Sequence, residues 1–479
     1  MLFSSLPFLF GFLPMFFIIY FLAKSRNVKN IVLLIFSMIF YTWGEPFYII
    51  LMVFSIVINH CLAVYIEKLQ ITQFEKNAKT LMIISVAVNL ALIGVFKYAG
   101  FFVNIFTGLF GSEHIDINIP LPIGISFYTF QNLSYIMDVY HKKVKVQKNP
   151  LYFGAYVAAF PQLIAGPIVR YETIAGELEN RVENFDDFAS GLRRFTAGLA
   201  KKVLIANNIA ALADGILTTA YNNGAIVGSV KDHGAIGAWL AIIAYTLQIY
   251  YDFSGYSDMA IGIGRMMGFH YLENFNYPYI AKSVTDFWRR WHISLSSFFR
   301  DYVYIPLGGN RVKTIRWLLN IMIVWGLTGL WHGAAWTFIL WGIYYGVLLI
   351  IEKNFLQNNI LKIPVLNRIY TISAFIFGWI IFRAESISHI GTILSTMFGA
   401  NGTGNMAQLA KNGLISPLQI IMIIIGIICS APVSVKLKQK LEKNEKTNYI
   451  IDAASVIALI LCVIMLAQGA YNPFIYLRF

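Results

Sequence analysis

The sequence predicts an all-α membrane protein that crosses the bilayer many times. Of its 479 residues, 58% are hydrophobic and only 13% are charged, whereas soluble domains carry roughly 25% charged residues. The chain also contains about a dozen runs of about 16 or more mostly apolar residues, and each is long enough for a helix across a hydrocarbon core of roughly 30 Å. We therefore expect one polytopic domain over residues 1–479.

The distribution of charge indicates membrane orientation and not nucleic-acid binding. Although the formal net charge is +13, Lys and Arg cluster in short loops between apolar runs and not on one folded face. The positive-inside rule then predicts which loops are cytoplasmic and which are external. The predicted cytoplasmic loops are 24–29, 68–79, 142–148, 353–368 and 436–446, and the predicted external loops are 44–46, 111–122 and 386–414. Both termini are expected outside, and the first run, about 7–23, is expected to be a retained helix.

Two segments depart from the simple pattern of spans. The run 151–169 contains Pro161 and the pair Gly166-Pro167, so we expect a re-entrant or broken helix, which is tolerated only where protein or water covers the backbone. The segment 257–316 carries many Arg and Lys residues among aromatic ones. We expect it to be the largest cytoplasmic element, built from helices that lie in the membrane interface or dip into the protein.

The three cysteines do not form a chemical motif. Cys61, Cys429 and Cys462 lie singly at or inside apolar runs, with no CxxC pair. This pattern is typical of small buried side chains, and it disfavours a disulfide, a metal site and a cysteine nucleophile.

His332 is the first candidate catalytic residue, because it follows a long apolar run. An ionisable side chain at membrane depth is costly and marks a functional site with a partner. Its neighbours Trp331 and Gly333 predict space beside the ring with limited access for water. A neutral imidazole there can act as a general base on a hydroxyl group. The alternative is a structural hydrogen bond to a neighbouring helix.

His292 is the second candidate, because Arg, Trp and Tyr residues surround it in the sequence. Fixed cations beside aromatic surface suit an anionic, partly apolar ligand, such as the phosphates and pantetheine arm of a thioester donor. The alternative is that these side chains anchor the chain at the membrane interface. The candidate donor-binding residues are Trp288, Arg289, Arg290, Arg300 and Tyr302.

Polar residues also recur inside otherwise apolar spans, and we expect them to line one polar interior. Hydrogen bonding between helices is the alternative for each. The candidate tunnel residues are Gln131, Asp138, Arg170, Gln248 and Asp252. The other six histidines, His60, His114, His141, His233, His270 and His389, are expected to have structural or surface roles.

Several long motifs, in order, carry a resemblance to a known family. They include LPIGISFYTFQNLSYIMDVY at 121–140, FPQLIAGPIVRY at 160–171, DFWRRWHISLSSFFRDYVYIPLGGNR at 286–311 and LTGLWHGAAWTFILWG at 327–342. Nearly the whole chain resembles the membrane-bound O-acyltransferase family, in the bacterial branch typified by the alginate O-acetylation membrane protein. The resemblance implies one family domain with its core at about 121–352. It also implies a ring of about a dozen transmembrane helices, with re-entrant and interfacial helices, that encloses a funnel.

The resemblance also implies a function and roles for the two histidines. His332 matches the near-invariant histidine of the family, and His292 matches the polar residue of its second motif. The implied reaction takes an acetyl group from a cytoplasmic thioester, acetyl-CoA, and passes it across the bacterial cytoplasmic membrane. A separate extracellular serine-hydrolase-like enzyme would then place it on a cell-surface polysaccharide. Because no plausible cysteine nucleophile exists, we expect direct transfer, with oxyanion donors among the backbone N–H groups near 329–333.

Two other functions stay open at the level of sequence. The same fold could transfer D-alanine to teichoic acid from a carrier-protein thioester. A transporter would also have broken helices and polar groups near the midplane of the membrane, although no inverted repeat is visible in the sequence.

Overall fold

A computed structural model describes residues 1–110, 119–222, 225–356, 360–433, 446–469 and 471–475. These residues fall into two compact units. The first unit comprises Met1–Phe195 with Tyr256–Leu272, and the second comprises Thr196–Gly255 with Glu273–Phe479. The predicted cytoplasmic run at 436–445, the loop at 111–118 and His114 within it lie outside the described residues.

Helices make up the first unit. A π-helical turn at Phe8–Phe12 leads into α1, and a second at Gly94–Tyr98 joins α4 to α5. The helices are α1 (Leu13–Leu22), α2 (Arg26–Gly44), α3 (Ile49–Ile71), α4 (Glu75–Ile93), α5 (Ala99–Leu109), α6 (Ile125–Tyr140), α7 (Pro150–Ala158), α8 (Phe160–Leu163), α9 (Tyr171–Asn180) and α10 (Phe185–Ala200). Helix α10 continues into the second unit.

Polar side chains connect helices of the first unit. The amides of Asn59 on α3 and Asn89 on α4 donate to each other at 3.1 and 2.7 Å. Asn132 on α6 donates to Ser55 Oγ on α3 at 3.0 Å. Hydrogen bonds of this kind hold helices together in a membrane, where apolar surface gives little preference for a helix over lipid.

The segment 151–169 is broken, as its prolines and glycine predict. Ala159, with φ −45° and ψ 111°, separates α7 from α8. Residues 153–169 are all buried, so protein covers the irregular backbone, as the membrane environment requires. A Cβ on Gly166 would lie 2.5 Å from Gln162 Cα, and glycine is therefore needed where the chain turns back.

The second unit contains the longest helix and the short elements around His292. Its helices are α11 (Asn207–Leu217), α12 (Gly234–Met266), α13 (Val284–Arg290), α14 (Ile293–Phe299), α15 (Thr314–His332), α16 (Trp336–Ile351), α17 (Pro364–Arg383), α18 (Ile387–Met397), α19 (Met406–Lys411), α20 (Pro417–Cys429) and α21 (Lys446–Ala467). Helix α12 continues into the first unit. Short π or 3₁₀ turns lie at Lys201–Ala206, Val230–His233, Pro278–Ile280, Arg300–Tyr304, Glu352–Leu356 and Ile360–Lys362.

One small ribbon departs from the all-α prediction. Strand β1 (Ala220–Asn222) pairs antiparallel with β2 (Ala225–Gly228). Strands of three and four residues are too short for alternation of polar and apolar residues to be recognised in the sequence. The rest of the described chain is helical or irregular, so the prediction of a helical protein holds apart from this ribbon.

The helices confirm a multi-pass membrane protein. Within the described ranges, eight helices are long and apolar enough to cross a bilayer. They are Arg26–Gly44, Ile49–Ile71, Glu75–Leu109, Val230–Met266, Thr314–His332, Trp336–Leu356, Pro364–Arg383 and Tyr449–Ala467. Two shorter apolar helices, Phe8–Leu22 and Pro417–Cys429, accompany them.

The Arg- and Trp-rich element is shorter than the sequence suggested. We expected it at 257–316, but α12 extends to Met266 and α15 starts at Thr314. The run of basic residues suggested an earlier start because it includes Arg265. This residue is in the last turn of α12, where it pairs with Asp187 at 3.0 Å. Within the element, the side chains of Phe287, Trp291 and Phe299 are buried. The short helices α13 and α14 therefore bury aromatic side chains in the protein.

Candidate active site

A tight turn between α13 and α14 presents His292. Its backbone has φ 45° and ψ 54°, a left-handed conformation that costs a non-glycine residue about 1–3 kcal/mol. The chain on either side is fastened to the segment before α13: Ile293 N donates to Asn274 O, and Asn276 N donates to Arg290 O, both at 2.9 Å. The turn is therefore imposed by its neighbours, and it fixes where the imidazole lies.

The buried side chain of Asn274 orients the His292 ring. His292 Nδ1 lies 3.2 Å from Asn274 Oδ1, and His292 is only 1% exposed. Because an amide oxygen only accepts hydrogen bonds, Nδ1 carries the hydrogen in this pair. Burial lowers the pKa of His292 to about 3. His292 is therefore neutral at physiological pH.

His332 is the last residue of α15 and is enclosed by aromatic rings. It is 3% exposed, and its ring centre lies 5.0 Å from those of Trp331 and Trp341 and 5.1 Å from that of Phe382, all edge-to-face. The carbonyl end of a helix is negative, so this position stabilises the imidazolium that forms when the ring accepts a proton. The surroundings suit a base that works away from bulk water.

The small residues beside His332 serve helix packing and do not leave open space. We expected Gly333 to open room next to the imidazole, but a Cβ there would lie 2.3 Å from Phe338 Cε2. A Cβ on Gly329 would lie 2.4 Å from Phe338 O. The glycines therefore let α15 and α16 approach closely, and the Phe338 ring fills the space that the sequence suggested was empty.

The backbone near Gly329 does not provide the expected oxyanion donors. Gly329 to His332 belong to α15, and Gly333 N donates to Gly329 O at 3.4 Å. Because these N–H groups are used inside and at the end of the helix, they are not aimed at a ligand. This expectation is wrong, and the reason is that α15 continues through His332.

Both histidines line one cavity of about 800 Å³ in the second unit. Its apolar wall includes Trp288, Trp317 and Trp325, and its basic groups are Arg289, Arg300 and Lys353. The His292 ring centre lies 5.8 Å from that of Trp331, the residue next to His332. The cavity therefore combines two histidines, aromatic surface and cations in one volume.

Three of the five predicted donor-binding residues, Trp288, Arg289 and Arg300, lie in the cavity wall. Arg290 and Tyr302 are not part of its described lining. Arg290 instead pairs with Asp286 at 2.8 Å, and the Tyr302 ring packs on Phe298 at 4.8 Å. Successive residues on a helix point about 100° apart, which separates Arg289 from Arg290.

A family model described as MBOAT, membrane-bound O-acyltransferase family, matches residues 145–390. The match spans the whole described lining of the cavity, including both histidines. The chain belongs to the membrane-bound O-acyltransferase family. The protein is therefore an O-acyltransferase of the multi-pass membrane class.

The names of the relatives of this O-acyltransferase describe either O-acetylation or D-alanylation. It is 42% identical over 419 residues to the probable alginate O-acetylase AlgI of Pseudomonas aeruginosa, covering 86% of this chain and 78% of the relative. It is 34% identical over 446 residues to the peptidoglycan O-acetyltransferase of Helicobacter pylori, covering 86% and 82%. It is 31% identical over 299 residues to the teichoic acid D-alanyltransferase of Bacillus subtilis, covering 58% and 72%.

Sequence reasoning missed two cavity residues of the O-acyltransferase: Lys353, which it treated only as the start of the basic loop 353–368, and Glu352, which precedes that loop. Glu352 is 3% exposed and accepts from Val284 N at 2.7 Å and Thr285 N at 3.0 Å, so it caps the start of α13. The Lys353 ammonium lies 4.1 Å from the centre of the Trp317 ring. A carboxylate at the end of an apolar run was the available signal.

The five predicted tunnel residues do not come together in the large cavity. Gln131, Asp138 and Arg170 belong to the first unit, and Gln248 and Asp252 belong to the second. None of the five is in the described lining of the large cavity. Asp138 lies 3.4 Å from Lys143 Nζ, and Asp252 lies 2.5 Å from Lys202 Nζ. Gln248 instead lines a second cavity of about 240 Å³.

Other histidines have local partners. His60 Nε2 lies 2.9 Å from Gln147 O, and His270 Nδ1 lies 2.8 Å from Glu177 Oε1. Glu385 N donates to His389 Nδ1 at 3.3 Å. These contacts agree with the structural and surface roles expected for them.

Proposed function

We propose that this O-acyltransferase takes an acetyl group from cytoplasmic acetyl-CoA and transfers it across the bacterial cytoplasmic membrane for O-acetylation of an exported or cell-surface polysaccharide. The observation that carries the proposal is the shared cavity of His292 and His332, with its basic and aromatic wall. The names of the relatives support the acetyl group: both O-acetylating relatives align with 86% of the chain, and the D-alanyltransferase with 58%.

The cavity suits a coenzyme A thioester. Its volume of about 800 Å³ lies within the roughly 300–1,000 Å³ of small-molecule sites. Arg289 and Lys353 would bind the phosphates, because guanidinium and ammonium groups form charge-assisted hydrogen bonds with phosphate oxygens. Arg300 already pairs with Asp301 at 2.7 Å, and it would contribute through its remaining N–H donors. The indole surfaces of Trp288 and Trp325 would shield the pantetheine arm and the thioester from water.

His332 would act as the general base. Its imidazole accepts the proton of the acceptor hydroxyl while the hydroxyl oxygen attacks the thioester carbonyl carbon. As the tetrahedral intermediate collapses, the carbon–sulfur bond breaks and the electron pair leaves with sulfur. The imidazolium then gives its proton to the thiolate, so the products are the acetyl ester and coenzyme A, and His332 returns to its neutral form.

His292 would position the acetyl thioester. Because its Nδ1 is bound to Asn274 and the ring is neutral, any hydrogen bond to the donor goes through Nε2 as an acceptor. An amide N–H of the pantetheine arm is a group of the matching kind. His292 thus holds the carbonyl carbon within reach of the hydroxyl that His332 deprotonates, and it does not itself change charge.

Two further parts of the proposal follow from the family resemblance. The spanning helices, about a dozen in number, would form a ring with re-entrant and interfacial helices around a funnel, in contact with membrane lipid. A separate extracellular serine-hydrolase-like enzyme would complete the transfer to the polysaccharide.

The donor can be tested directly. Membranes from cells that express the protein, with a bacterial polysaccharide fraction and any extracellular partner retained, would receive either ¹⁴C-acetyl-CoA or a ¹⁴C-D-alanyl carrier-protein thioester. We expect base-labile label in the polysaccharide only from acetyl-CoA, and none with His332→Ala. Label from the D-alanyl thioester alone would instead establish the D-alanyl transfer reaction.

A further inference from the structure

A second cavity lies next to His332 and has a different chemical character. Its volume is about 240 Å³, and its wall includes Asp214, Gln248, Arg383 and Glu385. Arg383 Nη2 lies 3.0 Å from Asp214 Oδ1, so part of this charge is already paired. The remaining polar wall offers amide and carboxylate groups, which hydrogen-bond hydroxyl groups well.

The Phe382 ring separates this cavity from His332. Phe382 lines the smaller cavity, is itself only 3% exposed, and lies with its ring centre 5.1 Å from that of His332. The described lining of the larger cavity includes His332 but not Phe382. Phe382 is therefore a side chain that lies both in the wall of the smaller cavity and against the imidazole.

Gln248 points to a polar ligand in the smaller cavity. It lines the wall and is 2% exposed, and among the described residues no donor reaches its Oε1. A buried amide oxygen without a donor is unfavourable. A hydroxyl group of a ligand would supply the hydrogen bond.

The segment near the end of the described chain forms another part of the wall. Pro473 and Ile475 line the cavity, and the segment is tied down by polar groups. Tyr471 Oη donates to Asp214 Oδ2 at 2.9 Å, and Ile475 N donates to Asp252 Oδ2 at 2.8 Å. The wall is thus built from packed and hydrogen-bonded groups, as a binding site requires.

We infer that the smaller cavity receives the immediate acceptor, one group of about sugar-ring size with a free hydroxyl, from which the extracellular enzyme then takes the acetyl group, and that Phe382 is the movable partition between this hydroxyl and His332. The inference rests on the proposed function. The volume lies below the roughly 300–1,000 Å³ of sites for drug-sized ligands, so the cavity admits about one ring and not a length of polysaccharide. With the partition closed, Phe382 keeps water from the acyl donor.

The role of Phe382 predicts a specific defect. If water replaces the acceptor hydroxyl, the same chemistry gives acetate and the free thiol of coenzyme A. Purified wild-type protein in lipid nanodiscs, given acetyl-CoA without acceptor, should release thiol slowly. Phe382→Ala should raise this rate severalfold, and adding His332→Ala should remove the increase. Ile372→Ala on the same helix, which is 42% exposed and lies outside the described lining of both cavities, is the control and should behave as wild type.

A second variant tests the cavity without opening the partition. Gln248→Leu should lower the ester-bound acetate of the cell-surface polysaccharide severalfold in expressing cells. The inference is overturned if the wild type acetylates the polysaccharide while Phe382→Ala matches it in thiol release and Gln248→Leu matches it in ester-bound acetate. A wild type that transfers no acetyl group at all would instead refute the proposed function.

Discussion

The side-chain oxygen of Asn274 binds His292 and its neighbour Ser294 at the same time. His292 Nδ1 lies 3.2 Å from this oxygen, and Ser294 donates to it from its backbone N at 3.2 Å and its Oγ at 2.8 Å. Asn274 is fully buried. One amide therefore sets the ring orientation and the hydrogen position of His292 and also supports the left-handed turn on which His292 lies.

Replacing Asn274 should impair catalysis through His292. Asn274→Ala should lower kcat roughly tenfold, as expected for loss of a group that orients a functional histidine, with little change in KM for acetyl-CoA. Asn274→Asp keeps an acceptor at the same place but adds a negative charge, which favours the imidazolium and raises the pKa of His292. The acid limb of the pH–rate profile should then move to higher pH in Asn274→Asp. Identical pH profiles in wild type and Asn274→Asp would show that Asn274 does not act through His292.

Burial of neutral His292 should make the protein sensitive to acid. Because burial lowers the pKa of His292 to about 3, from roughly 6.5 in an unfolded chain, the unfolded state binds more protons between these pH values. The contribution of His292 to stability is therefore full above about pH 6.5 and is lost as the pH falls toward 3. Thermal melts of the protein in detergent from pH 7 to 4 should show a shallower fall of Tm for His292→Gln than for wild type. Parallel plots of Tm against pH for wild type and His292→Gln would contradict this role of His292.

Arg289 and Arg290 should differ although they are adjacent. Arg289 lines the large cavity, whereas Arg290 pairs with Asp286 at 2.8 Å. Loss of one charge-assisted contact to a phosphate should raise KM for acetyl-CoA roughly tenfold in Arg289→Gln. Arg290→Gln is the matched control and should leave KM near the wild-type value. If steady-state kinetics gave the same KM for acetyl-CoA in both variants, Arg289 would not belong to the donor site.

The pair Lys202 and Asp252 should be important for stability. The two side chains are each 2% exposed and lie 2.5 Å apart. Lys202→Met leaves the Asp252 carboxylate buried without its cation and should lower the free energy of unfolding by about 3–5 kcal/mol. The double variant Lys202→Met, Asp252→Leu removes both charges and should cost less, as measured by denaturation in detergent. A double variant less stable than Lys202→Met would contradict this explanation.

The spanning helices, the break in the segment 151–169 and the two candidate histidines could be predicted from the sequence, because each depends on local chemistry. Apolar runs predicted the spanning helices, and Pro161 with Gly166-Pro167 predicted the break that lies at Ala159. Both histidines could be selected because ionisable groups are rare in such surroundings. These inferences require only the neighbours of a residue in the chain.

Features that depend on how helices pack against each other could not be predicted. Gly333 reads as open space, yet Phe338 fills that space because the chain folds back after α15. Gln248 and Asp252 are one helical turn apart and read alike, yet Asp252 meets Lys202 while Gln248 lines the smaller cavity. Lys202 lies far from Asp252 in the sequence, and Phe338, although near Gly333 in the sequence, meets it only because the chain reverses between α15 and α16. No local pattern specifies either contact.

The central claim is that His332 performs the chemistry and His292 positions the donor. The most direct measurement is acetyl transfer by His332→Ala and His292→Ala, each checked for acetyl-CoA binding and thermal stability, with His270→Ala as a histidine control outside the described lining of the cavity. We predict no detectable transfer with bound acetyl-CoA for His332→Ala, reduced but measurable transfer for His292→Ala, and wild-type transfer for His270→Ala. Substantial transfer by a folded His332→Ala protein, or complete loss only in His292→Ala, would contradict the account.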